Sequence, residues 1–117
     1  VDEAQWLVVF YKSASGNIPV KEFLEKLSSP LRAKILYGLT MLSSAGYNLG
    51  PPWLKKIDDV LWEIRIQAEK TQVRVLFCEK KRKFVLLHAL KKKRQKLSRQ
   101  DIETAHQRWD DYKVRMK

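Results

Sequence analysis

Residues 61–90 read LWEIRIQAEKTQVRVLFCEKKRKFVLLHAL, three strand-length runs divided by two polar turns. In the first run Trp62, Ile64 and Ile66 alternate with Leu61, Glu63 and Arg65; in the second Val73, Val75 and Phe77 alternate with Arg74, Leu76 and Cys78. Side chains two apart share one face of a strand, so Glu63 and Arg65 lie together, opposite Trp62. The third run, Phe84 to Leu90, is apolar on both faces apart from His88. Short turns around Glu69–Thr71 and Lys80–Lys83 favour antiparallel hairpins, and that pairing lets Arg65 and Arg74 approach each other on the face away from Trp62.

Upstream, Trp6 to Tyr11 is an apolar and aromatic run of strand length, followed by a polar turn over Ser13–Asn17. Pro19 opens a helix with Val20, Phe23, Leu24 and Leu27 at helical spacing. Ser29-Pro30 repeats the start signal for a second helix carrying Leu31, Ile35, Leu39 and Leu42, which ends near Gly46; Gly50-Pro51-Pro52 then breaks the chain. Downstream, Ser98 caps a last helix, with Asp101 three residues on and an apolar stripe of Ile102, Ala105, Trp109 and Tyr112. The order β-α-α-β-β-β-α predicts one α+β domain over residues 1–117, a small, mostly antiparallel sheet with its helices on one side.

A 44 % apolar share and four tryptophans argue against disorder. The net charge of +11 is unevenly placed: residues 1–52 hold five Lys/Arg against four Asp/Glu, residues 53–117 nineteen against nine. Such asymmetry predicts a positive field over one part of the surface, suited to nucleic acid, anionic lipid or an acidic protein, or else a solvated basic face. The lone Cys78 excludes an internal disulfide and a cysteine-based zinc site, and its apolar surroundings mark it as a buried thiol. Asp2 and Glu3 precede only a short apolar run and no segment reaches transmembrane length, so a cytoplasmic protein with no membrane contact is expected.

The chemistry lies in cations. His88 and His106 have no companion cysteines, so no metal or other cofactor is expected; the four glycines form no phosphate-binding loop. His88 is a candidate for proton transfer, set against the commoner hydrogen-bonded structural histidine. Arg65, Arg74 and the block Lys91-Lys92-Lys93-Arg94 fall on neighbouring strands or their ends. Two guanidinium forks suit the oxygens of one phosphate. RNA brings its own nucleophile, the 2′-hydroxyl, and needs only alignment, cations on the developing charge and a proton acceptor. Glu63 is a candidate acceptor or an ion-pair partner that orients Arg65. The same cations also suit a sheet that binds RNA without cutting it.

Four stretches in order then resemble a known family. Leu61-Trp62-Glu63-Ile64-Arg65, Gln72-Val73-Arg74-Val75-Leu76-Phe77, Val85-Leu86-Leu87-His88-Ala89-Leu90 and Lys92-Lys93-Arg94-Gln95-Lys96 running into Ile102-Glu103-Thr104-Ala105 are similar to the "glyElR", "yRvly", "vlLhgf.KK" and "KKt.ktP..ei..A" segments of the phage-derived, HigB-like branch of the RelE/ParE toxin superfamily. The resemblance covers nearly the whole chain. Two positions depart from it: Val73 stands where an aromatic is usual, and Ser98 where proline is usual.

The resemblance implies a RelE-like fold and the toxin of a type II toxin–antitoxin pair, a metal-independent endoribonuclease that cuts mRNA on the ribosome. It places Arg65, Arg74, Lys92 and Lys93 in the catalytic set, to which the reading of the residues adds Glu63 as the candidate proton acceptor. Lys91, Arg94, Lys96 and Arg99 are then expected to contact RNA, including rRNA, and the implied partner is a HigA-like helix-turn-helix antitoxin. The alternatives are a ParE-like inhibitor of DNA gyrase, for which the cations ending the last strand are too many, and a non-catalytic RNA-binding module.

Overall fold

The computed structural model describes residues 6–68, 70–92 and 96–116. Five strands, β1 Leu7–Phe10, β2 Leu54–Lys56, β3 Trp62–Ala68, β4 Thr71–Lys80 and β5 Lys83–Lys91, form one sheet in the order β1-β5-β4-β3-β2. Three helices accompany it: α1 Pro19–Glu25, α2 Ser29–Ala45 and α3 Arg99–Arg115. All strand pairs are antiparallel except β1 with β5. The fold is α+β with a mostly antiparallel sheet, compatible with the RelE-like arrangement.

Alternation along the strands builds two cores rather than one. Ile64, Ile66, Val73, Val75, Phe77, Phe84 and Leu86 pack with Val20, Leu24, Ile35, Leu39 and Leu42 of α1 and α2. Leu76, Cys78, Val85 and Leu87 point the other way and meet Ala105, Trp109 and Tyr112 of α3. The expectation of helices on one side is therefore corrected: α1 and α2 cover one face and α3 the other. The physical reason is that β4 and β5 are apolar on both faces, so each face needs a cover. Among the described residues no helix is long and apolar enough to cross a membrane.

Two further features depart from the sequence reading. The strand β2 follows Pro51-Pro52 and pairs Leu54 with Ile64 and Lys55 with Glu63; three residues carry too little alternation to be read as a strand. The α2 cap is Ser28, whose Oγ accepts from the Leu31 N–H at 3.4 Å, one residue ahead of Ser29. Ser98 caps α3 as expected, its Oγ accepting from the Asp101 N–H at 3.0 Å.

A register shift between Leu76 and Phe77 decides where His88 points. Leu76 pairs with His88 and Phe77 with Leu86, leaving Leu87 as the extra residue of a bulge. Strict alternation from Phe84 and Leu86 would have put His88 against α1 and α2; the bulge turns it to the α3 face. The parallel partner β1 reaches only Lys83–Leu86, so among the described residues β5 from His88 to Lys91 has no strand on that side. That free stretch of edge shapes the site.

Candidate functional site

Arg65 and Arg74 are direct partners in the β3–β4 ladder, on the α3 face. Between them lies Glu63, fully buried, two residues before Arg65 on the same face of β3. The Arg65 Nε donates to Glu63 Oε2 at 2.7 Å, and the Arg74 Nε stands 3.8 Å from Oε1. Arg74 is itself 2 % exposed, and its Nε also donates to Gln72 Oε1 at 3.3 Å. The Arg65 side chain is 28 % exposed and forms the accessible end of the triad. A buried carboxylate between two guanidiniums offsets their mutual repulsion and fixes their planes. Among the described residues no hydrogen-bond donor reaches Glu63 Oε1.

An open groove of about 680 Å³ runs past Arg74 and around the free end of β5. Phe23 and Ala89 line it from the α1 side; Arg74, Leu90 and Asp101 line it from the α3 side, with Lys91, Lys92 and Lys96 along its course. A smaller cavity of about 240 Å³ continues from it, sharing Arg74, Lys96 and Leu97 and adding Glu63, Lys55 and Lys56. The structure thus brings Arg65, Arg74, Glu63, Lys91, Lys92 and Lys96 to one end of the sheet. Arg99 is exposed in the first turn of α3. Lys93 and Arg94 lie outside the described residues.

His88 holds β5 against α3. Its Nε2 meets Asp101 Oδ1 at 2.8 Å, and Arg108 Nη1 approaches its Nδ1 at 3.3 Å while donating to the Leu87 carbonyl at 2.8 Å. A guanidinium only donates, so Nδ1 is the acceptor and the proton sits on Nε2. Asp101 also accepts from Ser98 Oγ at 2.7 Å. Partial burial works to raise the Asp101 carboxyl, but the bonds from His88 and Ser98 hold it below its ordinary value. With both ring nitrogens engaged, His88 links strand to helix and fixes the carboxylate that lines the groove.

Sequence reasoning missed Asp101 as a groove residue, having taken it only as part of a helix cap. It also missed Phe23 and Lys55, which topology, not local pattern, brings to the site. His106 is partly exposed and bonds Asp58 Oδ2 at 2.7 Å, while Asp58 Oδ1 accepts from the Val60 and Leu61 N–H groups. Cys78 is buried, and desolvation pushes its thiol up to about 12. Among the described residues no three His, Cys, Asp or Glu side chains gather where they would hold a metal.

Residues 22–110, most of the chain, match the family described as Phage derived protein Gp49-like (DUF891). The chain belongs to that family, which is a RelE/HigB-like toxin family. Membership implies an antitoxin partner in general. Among curated proteins no relative matches the chain.

Proposed function

We propose that this Gp49-like protein is the HigB-like toxin of a type II toxin–antitoxin pair and cuts mRNA on the ribosome, in the cytoplasm, under control of a HigA-like antitoxin. The observation that carries the reading is the triad of Arg65, Arg74 and Glu63, of which Arg74 lines a groove edged by Lys91, Lys92 and Lys96. A binding surface needs exposed cations. A guanidinium that is 2 % exposed and held by a buried carboxylate costs desolvation, and fixed orientation is what such an arrangement gains.

In this reading the two guanidiniums hold the non-bridging oxygens of the scissile phosphate and meet the charge that develops as the 2′-hydroxyl attacks in line. Glu63, which is among the residues lining the smaller cavity, takes the hydroxyl proton. Lys92, with Lys93 beside it in sequence, supports the leaving 5′-oxygen. The products are a 2′,3′-cyclic phosphate and a free 5′-hydroxyl. Lys91, Lys96, Arg94 and Arg99 contact the RNA backbone, rRNA included. His88 acts through Asp101 as a positioning residue.

Induced expression of the protein, beside an Arg65→Ala/Arg74→Ala variant, tests the function, with primer extension mapping cuts in cellular mRNAs. The reading predicts new mRNA 5′ ends with the parent chain and none with the variant. Growth arrest without new ends would instead favour a gyrase-like target.

A further inference from the structure

We propose that a second cavity, of about 330 Å³ between the start of α2 and the β3–β4 turn, seats a nucleotide of the same RNA strand adjoining the one that is cut. It rests on the groove being the RNA site. The two spaces are neighbours that share Lys91 as a lining residue. Lys91 pairs with Val73 and so lies on the α1/α2 face of the sheet, whereas Leu90 beside it pairs with Arg74 and lies on the other. A strand held at Arg74 and following Lys91 around the end of β5 comes to this cavity.

The lining is of two kinds. Leu27, Leu31 and Ala68 give an apolar floor, and Lys26, Lys34 and Lys91 stand around it; among the described residues no carboxylate lines it. The floor is fixed in place. Arg32 donates from Nε to the Leu24 carbonyl at 3.1 Å and from Nη2 to the Leu27 carbonyl at 2.9 Å, tying the end of α1 to α2. A nucleotide has this same division, a flat base for the apolar floor and a phosphate for the ammonium groups. The volume lies in the range of small-ligand sites. An acidic peptide would match the lysines but leave the floor without a flat partner.

The test is binding of oligoribonucleotides made uncleavable by one 2′-deoxy position and lengthened by single nucleotides on either side. The parent protein is compared with Lys26→Ala/Lys34→Ala and with Lys12→Ala/Lys80→Ala, a control that removes equal charge away from the cavity. The parent and the control are expected to gain at least about fivefold in affinity when the strand is lengthened on one side only. The Lys26→Ala/Lys34→Ala variant should lose that step and bind the shortest strand unchanged. Its slope of log affinity against log salt for the longer strand should fall by about 1.4, the figure for two lost phosphate contacts on single-stranded nucleic acid. Persistence of the step in that variant, or its loss in the control, overturns the subsite. A parent protein that cuts no RNA but shows the step would overturn the proposed function and leave the subsite standing.

Discussion

Arg65 and Arg74 sit opposite each other across two antiparallel strands, and one buried carboxylate, Glu63, lies 2.7 Å from the first and 3.8 Å from the second. Like charges directly across a ladder are destabilising. Glu63 offsets that repulsion because its carboxylate faces both guanidiniums.

Glu63→Gln removes the buried carboxylate charge that faces both guanidiniums. A stability loss on the order of 3–5 kcal/mol is expected, the scale for breaking a buried pair from one side. Urea denaturation measures it. Added inorganic phosphate should raise the melting temperature of Glu63→Gln more than that of the parent. Equal shifts would show that the arginines do not share an anion site.

Arg74→Lys keeps the charge and loses the planar fork. Cleavage should fall by about 10²-fold, as for loss of one fixed oxyanion donor, with far less change in RNA affinity. Single-turnover cleavage beside equilibrium binding separates the two effects. Equal losses in both would make Arg74 a binding residue only.

Gly46 has φ +59, and a Cβ there would collide with the Trp6 indole at Nε1. Gly46→Ala should cost about 2–4 kcal/mol, from left-handed backbone strain together with displacement of the indole. Loss of the stacking of Trp6 on Phe84, at 4.6 Å between centroids, should appear as a change in tryptophan fluorescence. A variant as stable as the parent would mean that α2 and β1 are not packed as described.

Asp101 gives a pH-dependent prediction. Its folded carboxyl is held below the unfolded value of about 3.9, so its contribution is complete above that value and is lost as pH falls through the lower folded one. Asp101→Asn should therefore be less stable than the parent at neutral pH, by about 0.5–1 kcal/mol for a pair partly in solvent. The difference should vanish in acid. A constant difference across pH would remove the His88–Asp101 link as its source.

How far these features are legible in the sequence depends on whether they are local. The facing of Arg65 and Arg74 follows from strict alternation in Trp62–Ile66 and Val73–Phe77 joined by a short turn, and the ladder has that register. The extra residue Leu87 leaves no mark in a run apolar on both faces, so the side to which His88 turns was not readable. The same two-sided run hid the placement of α3 opposite α1 and α2. Glu63 was readable as a neighbour of Arg65, but its complete burial depends on Arg74 and on the pairing of Lys55 across from it. Asp101 reaches the groove because α3 packs on β5 at His88, a tertiary contact that leaves no local pattern.

The central claim is that the protein aligns the RNA's own 2′-hydroxyl between Arg65, Arg74 and Glu63. Purified protein acting on ribosomes programmed with a short mRNA tests it most directly, with the cut nucleotide either unmodified or carrying a single 2′-deoxy substitution. Cleavage of the unmodified message to a 2′,3′-cyclic phosphate, with none at the 2′-deoxy position, is the predicted result. Continued cleavage of the 2′-deoxy message, or products ending in a 3′-hydroxyl, would contradict it.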